Sequence, residues 1–435
     1  MIVDWLRAPS VLAMLLVASS ALGDWPAFLG GSSRAASDAA RPPIKWTADQ
    51  NVAWQAELPG HGQSSPVVVG DIVYVTAIEG PMKETNLVIA FDLKTGNRLW
   101  QQEFSSSLPV ENNVYTCRAA PTPVADADGV VAFFESGNVV ALASDGEVRW
   151  QRDLLAEYGT YEGRFGVGGS MAQTDEHAIV LADNEGPAYI MALDKSTGET
   201  VWKTERESRT AWSSPMVMPI GDRQQVIVSA AGTIDGYDAS TGELLWSFDK
   251  VGGNTVASPT PAGENQFLIG ASPGRNGENA AGAKESNLLM RINVTDGEFV
   301  PEVVWKNSQA TSSFGSPIAY QGHAYFTNRA GVLFCIDMAT GDLAYTSRIG
   351  TSNWATPVGI DSKVYVFGKD GKTVVLAAGS EENILSENEL WTGGGGGGGG
   401  GGRGNFGGEI QYGFAVMPKG FVVRTGSRLV GVGEF

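Results

Sequence analysis

The chain has 435 residues, 43% hydrophobic and 18% charged, with 57 glycines, 12 tryptophans and a formal net charge of −18. A surface this acidic is repelled by nucleic acid and by anionic membranes, which disfavours both as partners while leaving room for a local basic pocket. Many glycines beside many aromatics point to short strands joined by tight turns.

Residues 1–23 read as a secretory signal. Arg7 is the positive element, Val11 to Ala18 the apolar run, and Ala21-Leu22-Gly23 a small-x-small cleavage site. The apolar run is too short to anchor in a bilayer. No cysteine stands beside the cleavage site for lipid attachment. The mature chain is expected to begin near Asp24, to carry no transmembrane anchor and to reside in the periplasm or outside the cell. Export would permit a disulfide. Cys117 and Cys335 fall in different repeats, however, and are expected to be two separate thiols.

The rest of the chain repeats one unit. Each copy opens on a small residue before an apolar run. These openings are Ser65-Pro66-Val67, Ala120-Pro121-Thr122-Pro123, Gly169-Ser170-Met171, Ser214-Pro215, Ser258-Pro259, Ser316-Pro317, Thr356-Pro357 and Tyr412-Gly413-Phe414. Each closes on Asp, then Thr-Gly, then an aromatic, best seen in Asp92 to Trp100, Asp194 to Trp202 and Asp238 to Trp246. The other closing aromatics are Trp150, Trp305, Tyr345 and Trp391. Glycine supplies the positive φ of the turn, and the aspartate accepts from turn amides ahead of it. The aromatic ring can bury itself between neighbouring repeats. Proline suits the first position of an innermost strand, where a ladder donor is least needed.

Eight openings face only seven closing aromatics. The C-terminus offers three strands of its last unit, and Asn51 to Leu58 supplies the fourth. The predicted fold is therefore all-β: an eight-bladed propeller of four-stranded antiparallel blades over residues 24–435, closed by an N-terminal strand joining the last blade. The run Gly393 to Gly402 lacks the Lys-Ser/Thr that a phosphate loop needs after it. Residues 393–408 are expected to form a flexible insertion. Residues 271–287 read as a long, polar, solvated hairpin.

The Asp-x-x-Thr-Gly-x-x-x-Trp turn, near-perfect in three copies, and the opening Trp25-Pro26 resemble the pyrroloquinoline-quinone-like propeller family over nearly the whole mature chain. The resemblance implies the fold and leaves several roles open. Its members include quinoprotein dehydrogenases and the propeller lipoprotein of the outer-membrane barrel-assembly machinery. The dehydrogenases carry adjacent cysteines over the quinone. This chain has no Cys-Cys pair, no Cys-x-x-Cys-His, no lipobox cysteine and no convincing Glu, Asn and Asp set for calcium.

In such a fold, ligands meet the face carrying the loops that lead into each innermost strand. Segments 101–119 and 151–169 are long, a hint of function. Arg118 could bind a carboxylate, and Trp212 or Trp354 could stack on a planar ring. Tyr158, Tyr161, Arg164 and Tyr412 complete the candidate set. The alternative is that these side chains plug the channel or face solvent. His61, His177 and His323 form no ligand pattern, so no metal site is expected. The expected role is a non-catalytic, monomeric binding or scaffold protein taking a protein or small molecule at its axial face. One alternative is a divergent oxidoreductase that would need pyrroloquinoline quinone and calcium. Another is an outer-membrane assembly role by strand addition to a blade edge.

Overall fold

The computed structural model describes residues 23–31, 40–391 and 409–435. The signal segment before Gly23 and the glycine run lie outside the described residues. Among the described residues no helix is long and apolar enough to cross a membrane.

The described strands form eight four-stranded antiparallel sheets arranged as a ring of blades. Blades 1 to 7 are built in chain order from residues 67–105, 124–153, 172–205, 216–248, 260–306, 318–348 and 358–389. Blade 8 takes three strands from residues 411–433 and its outer strand from Val52–Glu57. That strand runs antiparallel to Arg428–Gly433, with Val52 opposite Val432 and Glu57 opposite Arg428. The expected closure of the ring is thus present, and both ends of the chain lock one sheet.

The middle strands explain their own composition. Val73, Val75, Leu87 and Ile89 are wholly buried, because both faces of a blade pack against neighbours. Outer strands such as Arg98–Ser105 are mixed and partly exposed.

Two belts join the blades. In the outer belt, a tryptophan of one blade reads the turn of the next. Trp54, Trp100, Trp150, Trp202 and Trp305 each donate the indole N–H to a turn carbonyl, of Leu93, Ser144, Lys195, Ala239 and Met338, at 2.8–3.1 Å. The ring also lies flat against that turn's glycine. A Cβ on Gly198 would stand 2.6 Å from Trp150, and one on Gly242 would stand 2.4 Å from Trp202. The glycine is needed for space as well as for its φ of +76° or +73°. Aspartate holds the turn shape: Asp194 Oδ1 accepts from the amides of Ser196 and Thr197, both at 2.8 Å. Blade 5 lacks this turn and uses a two-residue hairpin, Asp296-Gly297, with φ of +51° and +84°. Trp246, which precedes it, turns back to Gln225 Oε1 of its own blade.

The inner belt is made of hydroxyls. The amide of Ser65 donates to Thr122 Oγ1, Thr122 to Ser170, Ser170 to Ser214, Ser214 to Ser258, Ser258 to Ser316 and Ser316 to Thr356, at 2.8–3.1 Å. In seven of the eight blades the residue at this point is small enough to fit the axis and carries a hydroxyl, which in six of them satisfies a neighbour's buried amide. At the eighth position stands Gly413, where a Cβ would lie 2.2 Å from Ser65 Oγ.

The opening segment around Trp25 stops the channel beyond this belt. Trp25 exchanges backbone hydrogen bonds with Val68 of blade 1, at 2.7 and 2.8 Å. The Pro26 carbonyl accepts from the Ala125 amide of blade 2 and from Gln173 of blade 3. Trp25 packs near Phe414 of blade 8, and Leu29 packs against the core of blades 6 and 7. A small cavity of about 40 Å³ remains between this plug and blades 3 to 5.

Two outcomes follow from the outer belt. Trp202→Ala is expected to lower stability by about 3–5 kcal/mol, read as a lower urea midpoint at unchanged slope. The Ser196 hydroxyl and the turn amides hold the Asp194 carboxyl below its ordinary 3.8. Its contribution is therefore present above that pH and lost as pH falls through the folded value. Asp194→Asn should flatten part of the acid limb in a series of melting temperatures from pH 6 to pH 2.

Candidate ligand-binding mouth

The lead-in loops meet on the face opposite the plug, where residues just before the hydroxyl belt point toward the axis. Three copies place a ring three residues before the proline: Trp212, Phe314 and Trp354. Trp354 lies 5.0 Å from Phe314 and 5.7 Å from Tyr412, and Tyr412 meets His61 edge-on at 6.0 Å. This aromatic arc spans blades 6, 7, 8 and 1. A second pair, Phe165 and Trp212, sits 5.7 Å apart across blades 3 and 4. The Trp212 indole donates to the Gly166 carbonyl at 2.9 Å, tying loop 161–168 to blade 4. Arg118 stands between the arcs. Its amide donates to Gln63 Oε1 at 2.9 Å, and its carbonyl accepts from the Gln63 amide at 3.0 Å.

Of the seven candidate residues, the structure places Arg118, Trp212, Trp354 and Tyr412 around this mouth. Arg164 lies over the Phe165 ring at 5.3 Å, on its margin. Tyr158 lies away from it, and Tyr161 lines the cavity beside it with its ring in the core. Tyr158 ends a short helix, Leu154–Tyr158, and its hydroxyl is 3.2 Å from Thr200 Oγ1 in the outer strand of blade 3. Tyr161 is buried in the core of blades 2 and 3, its hydroxyl 2.8 Å from that of Tyr189. His61, Phe165, Phe314 and Arg424 are additional mouth residues. Aligning the repeat copies at the proline exposes Phe314. Arg424 carries a different signal, a lone charge inside the apolar strand Gly420–Thr425.

The electrostatics of the mouth are one-sided. Burial, then the charges of Arg118 and Arg424, push the His61 imidazole down to about 3, so it is neutral at physiological pH. Arg424 is wholly buried, and burial lowers it to about 9.

Beside the mouth, loops 106–117 and 161–166 roof a cavity of about 180 Å³. Its floor is a buried ion pair, Lys83 Nζ to Glu135 Oε1 at 3.7 Å. Lys83 also donates to the Cys117 carbonyl at 2.5 Å, and both Glu135 oxygens accept from the Ala119 amide. Lys83 and Ala119 hold φ of +50° and +46°, strained values for side-chain-bearing residues. Burial lowers Lys83 and raises Glu135, each opposed by its partner. The pair fastens loop 101–119 to the rim. Both cysteines are free, and burial pushes each thiol up to about 12, which leaves them protonated and unreactive.

Pyrroloquinoline quinone with calcium, which the resemblance implies, would need oxygen ligands for the ion and flat surfaces for the ring system. Among the described residues no group of three or more His, Cys, Asp or Glu could hold a metal ion. The mouth presents arginines and rings where calcium asks for oxygen ligands. Cys117 and Cys335 belong to blades 2 and 6 and cannot stack together on a ring system. These residues do not fit the pair.

Fold and mouth define a quinone-type β-propeller with an aromatic, cationic axial face. The family model described as outer membrane protein assembly factor BamB matches residues 20–167 and 156–300, and the chain belongs to that family. The protein of that description from Burkholderia pseudomallei is 28% identical over 215 residues, 48% of this chain and 51% of the relative. That from Shewanella oneidensis is 22% identical over 331 residues, 75% of this chain and 64% of the relative. The chain thus spans between about half and two thirds of these curated relatives. Among solved structures, BamB from Moraxella catarrhalis superimposes with a TM-score of 0.57 at 16% identity, covering 88% of this chain and 97% of that one. Quinohemoprotein alcohol dehydrogenase from Comamonas testosteroni gives 0.61 at 13% identity, covering 96% and 82%. At these identities the superpositions show the shared fold alone.

Removing one partner of the Lys83–Glu135 pair leaves a buried charge. Lys83→Met is expected to lower stability by about 3–5 kcal/mol, while the double change with Glu135→Leu should recover much of it. A double-mutant cycle in urea checks both.

Proposed function

We propose that this chain is a non-catalytic scaffold of the periplasm that serves outer-membrane protein assembly by holding a partner protein at its axial mouth. Membership of the assembly-factor family carries the reading. The residues alone favour an unspecified scaffold, and the family match favours the assembly-factor alternative over it. The mouth is built for such a task. It is a ring of half-buried aromatics with an arginine, the side-chain types that supply most binding energy at protein interfaces. The plug closes the channel behind it, so a partner would rest on this face and pass nothing through. The hydroxyl belt keeps seven of the eight lead-in loops in fixed register, which limits the ordering cost of binding.

The experiment is capture from envelope extracts with the tagged mature chain, with assembly-machinery subunits identified by mass spectrometry and confirmed with purified components. Deleting residues 151–169 would take Leu154 and Tyr161 out of the core, so point substitutions are preferable. Trp354→Ala and Trp212→Ala are expected to weaken capture about tenfold or more, whereas Leu99→Ala, on an exposed outer strand, leaves it unchanged. Binding that survives both mouth substitutions places the partner on another face. Absence of any assembly subunit, with the fold intact, removes the assembly reading.

A further inference from the structure

We infer that the mouth between blades 8, 1 and 2 is a receptor for a carboxylate on a peptide, gripped by Arg118 with Arg424 behind it and flanked by the aromatic arc. The inference rests on the reading that this face binds a partner, and it names the chemistry that the face would recognise.

Arg424 is the first observation. It sits mid-strand in blade 8, wholly buried, and its guanidinium reaches beneath the lead-in loop of blade 1. It donates to the Ser64 carbonyl at 3.1 Å, to Ser64 Oγ and to the Thr76 carbonyl at 2.5 Å. All three acceptors are neutral, and its Nε has none. A buried cation with no counter-charge is expensive, and proteins almost always pair one. Here 48 acidic residues outnumber 30 basic ones, yet among the described residues none forms an ion pair with Arg424.

The second observation is that the deficit is shared. Arg118, in the lead-in loop of blade 2, makes no ion pair among the described residues, and its buried Nε lacks an acceptor. His61 Nε2 between them also lacks a partner. Segment 61–64 brings the three groups together: Arg424 donates to the Ser64 carbonyl, the Arg118 amide donates to Gln63 Oε1, and the His61 ring lies against Gly426 two residues from Arg424. Glu135, the nearby buried acid, is already committed to Lys83 and the Ala119 amide. Two guanidinium N–H groups without acceptors and two positive charges without acids, among the described residues, present the chemistry that an anion satisfies.

The surroundings narrow the anion. A guanidinium fork matches a carboxylate in two parallel hydrogen bonds, and Arg118 is only half-buried, so it is the group that a ligand can reach. Tyr412 lies beside His61 and Trp354 beside Tyr412, and Phe314 is 39% exposed. A ligand with a carboxylate next to an apolar or aromatic side chain would satisfy both halves at once. The carboxylate could belong to an Asp or Glu side chain or to a chain terminus, which offer the same chemistry.

The test uses the mature chain and N-acetyl-L-phenylalanine, with its amide as the neutral control, read by calorimetry and by thermal shift. Saturable binding of the acid is expected, with the amide at least about tenfold weaker. At about ten times the dissociation constant the acid should raise Tm by about 2 °C. Arg118→Gln, a half-buried position that leaves the core intact, should lose at least about tenfold in affinity for the acid and nothing for the amide. Arg424→Met should also weaken binding of the acid, and because it takes the donor from the Ser64 and Thr76 carbonyls its stability is measured alongside. If that variant does not fold, Arg118→Gln still decides the matter. Equal binding of acid and amide overturns the inference, as does an Arg118→Gln variant that binds like the parent. So does an equal thermal shift from inorganic phosphate, which would mark a general oxyanion sink. Peptides with either a free C-terminus or an internal Glu and amidated ends separate the two sources; binding by neither overturns the proposal. Arg118-dependent probe binding without assembly-partner capture would keep the receptor and discard the assembly role. Capture by a chain that ignores the probe would do the reverse.

Discussion

The structure depends on how one blade docks on the next. A tryptophan lies flat on the following blade's turn, donates its N–H to a carbonyl of that turn and occupies the space that a Cβ would fill on the turn glycine. Each contact is short-range in space yet joins residues roughly one repeat apart, as from Trp150 to Gly198. Near the axis, hydroxyl-to-amide bonds do the same for the innermost strands. Buried amides at the crowded centre would otherwise lack acceptors. The two belts together fix blade spacing at both radii, so the ring is rigid before any loop is placed on it.

This rigidity explains how a repeat can carry a distinct face. The hydroxyl and the proline stay nearly constant from copy to copy, whereas the residue three before the proline changes from Gln63 to Trp212, Phe314 and Trp354. The constant pair holds the backbone, and the variable residue projects into the mouth. The plug adds a second asymmetry by closing one end of the axis through hydrogen bonds to Val68 and Ala125. What remains is a single open face with rings on most of its circumference and two arginines on one side. An acidic protein that concentrates unpaired cations at one opening has a built-in bias for where an anionic group comes to rest.

Much of the fold was legible because the repeat is written in residues with strong local preferences. Thr-Gly marks a turn, Ser-Pro a strand start, and the missing fourth strand of the last unit points to Asn51–Leu58. The mouth was legible in part. Trp212, Trp354, Tyr412 and Arg118 adjoin strand starts, so their position along the repeat places them on one face. Tyr158 and Tyr161 sit in an equally long loop, but that loop folds back as a short helix and a buried core contact. Loop length alone does not tell which side chains turn outward. Arg424 was illegible as a mouth residue, because its strand lies one layer away and reaches the site only across the seam between blades 8 and 1.

The sequence by itself determined the number of blades, the turn chemistry and the closure of the ring, since these follow from local preferences repeated at a constant period. Only the tertiary structure decided which of the polar side chains are paired. Pairing depends on distances between residues hundreds of positions apart, as between Arg424 and Ser64. It is this last layer, the arrangement of charges without partners, that gives the mouth its chemical character.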